Sequence, residues 1–286
     1  MFLLVDFSEK DVKVKQYVRE GHIVHAHISK RDLKEQKDSH ILRNLLIGAG
    51  IVGITGIGLV AGLSLLRGTV MKSAKSSIIK TYDDNLKKSL QKTYQPIVKP
   101  LEHKDADIVF AINGFNGMPH EHDQYNDIAK GLDAFNKTDR KINVIPFTVK
   151  HEIGNTRNPI QMMSNLYASE KATDKVVELA ETVKAYKKKY PNKKITILGF
   201  SMGGSTAINA ADLLKDPSIQ TISIASPNIR GVEPPNYTGT RVKNDGILPD
   251  EVFTGKEVVL DDVEGHNNAF SSRKGLDLLI NKLFGH

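Results

Sequence analysis

Short apolar segments alternate with long amphipathic ones from about residue 101 to the end of the chain. The amphipathic segment 169–190 places Val176, Leu179 and Val183 on one helical stripe. Strands that alternate with helices predict a mainly parallel sheet covered by helices on both faces. The sequence therefore predicts an α/β fold whose functional site lies at the carboxyl ends of its strands. The strand candidates are 106–112, 142–147, 194–200, 220–226 and 256–262.

A different pattern precedes this region. Residues 12–32 alternate apolar and polar positions around Glu20-Gly21, which predicts a β-hairpin. His22, His25 and His27 lie in this hairpin. We interpret them as strand-surface histidines because no carboxylate completes a convincing metal-ligand set.

An uncharged segment runs from Leu45 to Leu66 between Arg43 and Arg67. As a helix, it would be about 33 Å long, which matches the hydrocarbon thickness of a bilayer. The alternative is a buried glycine-rich helical hairpin, since glycine lowers helix propensity. We favour a single membrane span, and thus a membrane-associated protein. Its orientation stays undecided because basic residues flank the segment on both sides.

The patterns divide the chain into four parts. Residues 1–44 form the hairpin region, 45–66 the hydrophobic segment, 67–100 a linker with an amphipathic helix at about 70–91, and 101–286 the α/β domain. Pro96 and Pro100 mark the last boundary.

Composition narrows the chemistry. The chain has a formal net charge of +7, but its lysines are dispersed and form no arginine-rich stripe with interleaved aromatic residues. We therefore expect no nucleic-acid partner. The absence of cysteine excludes disulfides, thiolate catalysis and cysteine-based zinc sites.

The sequence GFSMGG follows one predicted strand and opens a helix. Gly-x-Ser-x-Gly in that context is typical of a nucleophile elbow. The turn is so tight that side chains at positions 199 and 203 would clash with the neighbouring strand and helix, so glycine is needed at both. Ser201 would then project from the carboxyl edge of the sheet, near the positive end of the helix dipole. The backbone N–H of Met202 would point at a substrate oxyanion. We predict that Ser201 is the nucleophile.

A serine nucleophile needs a base and an acid. Only His266 and His286 follow Ser201, and His266 lies between the last predicted strand and the last helix, whereas His286 ends the chain. Asp245, in an Asn-Asp-Gly turn, is the first choice for the acid that orients the imidazole, and Asp250 is the second. Further competitors are Asp261 and Asp262.

The second oxyanion donor is expected in the loop after the first strand of the domain. The sequence NGFNG follows that strand, and the backbone N–H of Phe115 is the natural donor, with Asn116 in reserve. His120 and His122 follow on the same loop as a weak metal signal.

Taken together, residues 105–285 resemble the α/β-hydrolase superfamily of serine esterases and lipases. NGFNG looks like the oxyanion loop of that family, with Asn113 where the family has histidine. ILGFSMGG is similar to its elbow, and NDGILP resembles the lipase acid loop around Asp245. The resemblance implies ester hydrolysis through an acyl-enzyme, with no metal or cofactor.

The substrate follows less directly. A membrane span on the same chain would favour lipid esters by proximity, whereas a thioesterase or a peptidase is chemically equivalent. Two alternative functions differ from a plain ester hydrolase. One is a non-catalytic membrane-anchored binding module on a hydrolase fold. The other is a membrane-active protein whose glycine-rich segment inserts into a target bilayer while the hydrolase attacks the lipids of that bilayer.

Overall fold

The computed structural model describes residues 5–7, 12–19, 22–28, 69–114, 141–149, 159–245, 248 and 250–284. The chain divides into two units, Met1–Gly53 and Ile54–His286. The first unit contains an antiparallel sheet in the order β1-β2-β3, in which β2 and β3 correspond to the predicted hairpin. The strands are β1 (Val5–Phe7), β2 (Val12–Arg19) and β3 (His22–Ile28).

The predicted membrane segment 45–66 lies outside the described residues, and its insertion into a bilayer stays a prediction. Among the residues that the structure describes, no helix is long and apolar enough to cross a membrane.

The second unit contains a six-stranded sheet in the order β5-β4-β6-β7-β8-β9, in which neighbouring strands are parallel. The predicted fold class, a mainly parallel α/β sheet, is thereby confirmed. The strands are β4 (Asp107–Ile112), β5 (Ile142–Phe147), β6 (Ile195–Phe200), β7 (Ile219–Ile224), β8 (Tyr237–Val242) and β9 (Val258–Leu260). The helices are α1 (Thr69–Ser89), α2 (Pro159–Ala168), α3 (Glu170–Lys189), α4 (Met202–Leu214) and α5 (Arg273–Phe284).

Helices cover both faces of this sheet because its strands are apolar on both sides. On one face, Phe110 of β4 packs in a cluster with residues of α3 and α4. On the other face, Val109 of the same strand shares a cluster with Leu279 and Leu283 of α5. Both faces are therefore buried, as expected for parallel strands.

Strand β8 was not among the predicted strands. Its sequence YTGTRV carries Gly239 in the middle and only Tyr237 and Val242 as large apolar residues, whereas the neighbouring β7 contains three isoleucines. A Cβ atom at Gly239 would collide with the side chain of Tyr237, two residues earlier in the same strand.

The helix α1 is more than the linker that the sequence predicted. Its buried face, which includes Ile78 and Tyr82, shares one apolar cluster with Met202, Leu248 and Val252. Those last three residues lie at the start of α4 and in the loop after β8. The helix is thus part of the core of the second unit, beside the loops that follow the strands.

The end of α1 is also tied to the start of α3 by polar contacts. The Ser89 hydroxyl donates to the Asp174 carboxylate at 2.7 Å, the Lys92 ammonium contacts that carboxylate at 2.7 Å, and the Tyr94 hydroxyl donates to it at 3.0 Å. Burial works against ionisation of this carboxylate, but the hydrogen bonds from Lys92, Ser89 and Tyr94 outweigh it and hold the pKa of Asp174 below its usual range.

The strand order locates the site. Strand β5 lies on one side of β4, and the chain then crosses to place β6 on the other side. In open parallel sheets, ligands bind at the carboxyl ends of strands where the order reverses in this way. The residues that directly follow β4 and β6 therefore lie where a ligand is expected to bind.

Candidate active site

Ser201 stands between β6 and α4 in a strained backbone conformation. Its φ of 51° and ψ of −124° are rare for a residue with a side chain. The turn is held by the Ser201 N–H, which donates to the carbonyl of Ile224 at the end of β7 at 2.9 Å. The side chain is half-buried, so the hydroxyl stays accessible. This geometry is the strand–turn–helix elbow that the sequence predicted.

The glycines of the elbow are required by close packing. A Cβ atom at Gly199 would lie 2.5 Å from the carbonyl oxygen of Gly203. One at Gly203 would overlap the carbonyl oxygen of Asn113, at the end of β4. Gly204 was not singled out from the sequence, yet a Cβ atom there would overlap the side chain of Ser226. The third glycine of the GFSMGG sequence was the available signal for it.

The structure brings Ser201, His266 and Asp245 together in one hydrogen-bonded chain. The Ser201 Oγ lies 2.8 Å from His266 Nε2. His266 Nδ1 lies 2.8 Å from one carboxylate oxygen of Asp245 and 3.0 Å from the other. Because an ionised carboxylate only accepts, Nδ1 carries the proton and Nε2 is free to accept from the serine hydroxyl.

Both partners of the serine are shielded from water. The side chains of His266 and Asp245 are 5% and 3% exposed. Around His266, the ring of Phe200 lies 5.1 Å away between centroids. Electrostatic interactions are stronger in such a setting than in water.

The turn before Asp245 aims its carboxylate at His266. Asn244 adopts a φ of 56°, the left-handed conformation that asparagine tolerates. The Leu248 N–H then donates to the Asp245 carboxylate at 2.9 Å, and the His266 N–H donates to the Asp245 carbonyl at 3.0 Å. The side chain and the main chain of Asp245 thus both hold the segment of His266.

Burial, together with the negative charge of Asp245, raises the pKa of Tyr167, so its hydroxyl stays neutral beside the acid.

The other candidate acids have different partners. Asp250 forms an exposed ion pair with Arg241 at 2.7 Å. Asp261 pairs with Lys274 at 3.2 Å. The Asp262 carboxylate accepts from the Ser272 hydroxyl at 2.6 Å. In each case the carboxylate is engaged away from His266, and the geometry favours Asp245.

The oxyanion side of the site is partly described. Met202 is the first residue of α4, and the N–H groups of a first helical turn have no partner inside the helix. Its backbone N–H therefore stays available beside Ser201. Phe115, the second predicted donor, lies outside the described residues, as does Asn116. The described chain on that side ends at Gly114.

Among the residues that the structure describes, no three His, Asp or Glu side chains form a group that could hold a metal ion. His120 and His122 lie outside that part of the chain, as does His286.

Comparison with known proteins adds one family match. Residues 113–241 match the model of a family described as lipase (class 3), which supports an ester hydrolase. The matched segment includes Ser201 but ends before Asp245 and His266. No curated protein matches the chain.

Solved structures give weak overall matches. An α/β serine hydrolase without a lid from Xanthomonas campestris is 18% identical, with 64% of this chain and 86% of that one covered and a TM-score of 0.39. A putative α/β-hydrolase of unknown function from Agrobacterium tumefaciens is 16% identical, with 68% and 91% covered and a TM-score of 0.44. A cutinase from Trichoderma reesei, bound to a phosphonate inhibitor, is 16% identical, with 84% and 98% covered and a TM-score of 0.36.

Proposed function

We propose that this protein is a serine hydrolase that cleaves carboxylic esters through an acyl-enzyme. The observation that carries the proposal is the 2.8 Å contact between Ser201 Oγ and His266 Nε2, made by a serine on a strained elbow. A serine in an ordinary glycine-rich loop needs neither that conformation nor a buried histidine–aspartate pair behind it. The lipase (class 3) match of the surrounding segment supports the same chemistry.

The reaction begins when the Ser201 oxygen attacks the ester carbonyl and His266 Nε2 accepts the hydroxyl proton. Asp245 stabilises the imidazolium that forms. His266 then donates the proton to the departing alkoxide, which leaves as an alcohol while Ser201 keeps the acyl group. Water then attacks the acyl carbon while His266 accepts one of its protons. The bond to Ser201 breaks, the carboxylic acid departs, and His266 returns the proton to the Ser201 oxygen.

The oxyanion that forms in each half of the reaction is held by backbone N–H groups. We assign these to Met202, at the start of α4, and to Phe115. Each donor of this kind is worth about 10²–10³ in kcat in other serine hydrolases. No metal or cofactor has a step in this mechanism.

Within the ester class we propose lipid esters, such as phospholipids or acylglycerols, as the substrates. Two observations support this choice: the match of residues 113–241 to class 3 lipases, and the uncharged 45–66 segment of the same chain. A single membrane span there would hold the catalytic unit close to a bilayer.

Labelling with a fluorophosphonate probe tests the catalytic proposal. The wild-type protein should be labelled on Ser201, and Ser201→Ala should abolish both labelling and hydrolysis of p-nitrophenyl esters. Ser205→Ala is the matched control, because this buried serine lies one turn further along α4 and its loss leaves the elbow intact. A folded wild-type protein that is neither labelled nor active would favour a non-catalytic binding module.

A substrate panel tests the finer proposal. Activity on phospholipid vesicles and long-chain acylglycerols should exceed activity on acyl thioesters and on peptides. Preference for thioesters or peptides would overturn the lipid assignment and leave the triad in place. Leakage of liposomes caused by Ser201→Ala would instead point to an insertion activity of the 45–66 segment.

A further inference from the structure

Asn113 is buried at the carboxyl end of β4, and no step of the mechanism above uses it. Its side chain is 2% exposed, and its position directly precedes Gly114 in the predicted oxyanion loop. A buried amide needs partners for its donor and its acceptor, since an unsatisfied polar group costs about 1–3 kcal/mol.

The Asn113 amide has such partners on two loops. Its Oδ1 accepts a hydrogen bond from the Val149 N–H, just after β5, at 3.1 Å. Its Nδ2 donates to the carbonyl oxygen of Gly114 at 3.1 Å. This orientation is forced, because a backbone N–H can only donate and a carbonyl can only accept. The side chain therefore bridges the loops that follow two neighbouring strands.

The residue held by this bridge lies against the nucleophile. A Cβ atom at Gly114 would lie 3.3 Å from the Cβ of Ser201 and 3.2 Å from the ring of Phe200. The main chain of Gly114 thus packs directly beside Ser201. On its other side, the Asn113 carbonyl packs so closely on Gly203 that only glycine fits there.

We propose that Asn113 is a positioning residue, whose amide fixes the Gly114 peptide beside Ser201 and so sets the geometry of the oxyanion side of the site. This inference rests on the serine hydrolase function proposed above. Asn113 touches no reacting atom, and it acts through the backbone that it holds. A shift of that backbone would weaken stabilisation of the transition state more than binding of the ground state.

The test substitutes Asn113→Asp, which keeps the shape and the acceptor for Val149 but replaces the donor to Gly114 with a carboxylate oxygen. We expect kcat for a p-nitrophenyl ester to fall about 10- to 100-fold, part of the effect of losing a whole oxyanion donor, with little change in KM. The rate of fluorophosphonate labelling should fall in parallel.

Asn143→Asp is the matched control. Asn143 is also buried, at 4% exposure, and its amide also bridges loop backbone: its Oδ1 accepts from the His103 N–H at 2.9 Å and its Nδ2 donates to the His103 carbonyl at 2.8 Å. It lies at the opposite, amino end of β5. The Asn143→Asp variant should therefore lower the thermal midpoint of unfolding much as Asn113→Asp does, while kcat of the folded variant stays near the wild-type value.

Two outcomes would overturn the positioning role: Asn113→Asp that keeps the wild-type kcat, or equal losses of kcat in both variants. If Asn113→Asp fails to fold, Asn113→Ser, which removes the Nδ2 donor without adding charge, is judged by the same split between kcat and KM. The wild-type protein must first be labelled by the probe. Failure there would refute the hydrolase function itself and is separate from failure of the Asn113 role.

Discussion

Asp245→Asn is the sharpest test of the hydrogen-bonded chain, because it replaces one carboxylate oxygen beside His266 with an NH₂ donor. One carboxylate oxygen of Asp245 accepts from the Leu248 N–H at 2.9 Å, and the other lies 2.8 Å from His266 Nδ1. In the variant, we expect the amide oxygen to stay at Leu248, where it also lies 3.0 Å from Nδ1, and the NH₂ group to take the nearer position, 2.8 Å from Nδ1. That arrangement favours the imidazole tautomer whose proton is on Nε2, where it cannot accept the proton of Ser201.

The expected loss follows from this wrong tautomer. In a serine protease, the equivalent exchange lowers kcat about 10⁴-fold, which corresponds to about 5 kcal/mol of transition-state stabilisation. We expect a loss of that order in kcat for p-nitrophenyl ester hydrolysis, with KM nearly unchanged. Fluorophosphonate labelling should slow to a similar extent, because it depends on the same activated serine.

Asp250→Asn is the control, since Asp250 was the alternative acid. Its ion pair with Arg241 is exposed, with the Asp250 side chain at 87% exposure, and pairs of this kind are worth about 0–1 kcal/mol. Activity should therefore stay close to the wild-type level. If Asp245→Asn retained more than about a tenth of the activity, or if Asp250→Asn were as damaging, the assignment of the acid would be refuted.

Two further predictions concern stability. Gly203→Ala should lower the free energy of unfolding in urea by about 1–3 kcal/mol or more, because the added methyl group would overlap the backbone of Asn113. Unchanged stability would contradict the close packing of the elbow. Asp174→Asn should cost about 1–2 kcal/mol at pH 7. The folded-state pKa of Asp174 is lowered from 3.8, so this contribution to stability is present above pH 3.8 and is lost as the pH falls below it. The free energies of unfolding of the variant and the wild type should therefore become equal in acid. A difference that persisted or grew there would exclude the Asp174 carboxylate as the source of the stability.

Much of the architecture was accessible from the sequence because it depends on local pattern. The buried strand β6 is a short apolar run, β7 contains three isoleucines, and α3 shows its buried stripe directly in the spacing of Val176, Leu179 and Val183. Strand β8 was missed because its sequence is polar and it is recruited to the sheet by its neighbours. The close packing of α1 was missed for a related reason: amphipathic spacing predicts a buried face but does not identify what buries it.

The candidate site divides in the same way. The elbow around Ser201 is a local feature. The chain order of nucleophile, acid and base left His266 and His286 as candidates for the base, and the place of His266 between the last strand and the last helix favoured it. The sequence ranked Asp245 before Asp250, but both aspartates follow β8 within a few residues, and only the structure shows which of them lies beside His266. Their separation depends on the turn at Asn244, which aims only one of them at His266.

The sequence by itself determined that a strained serine turn ends a buried strand, and that one histidine follows it at a suitable place in the chain. Local sterics determine the serine turn, since only glycine allows so tight a turn. Chain order determines which histidine can follow it. The tertiary structure alone decided which side chains meet. Ser201 and His266 are 65 residues apart, and they touch because the parallel register of β6 to β9 brings the ends of those strands to one edge. The bridge made by Asn113 depends on the parallel register of β4 and β5, which no local pattern encodes.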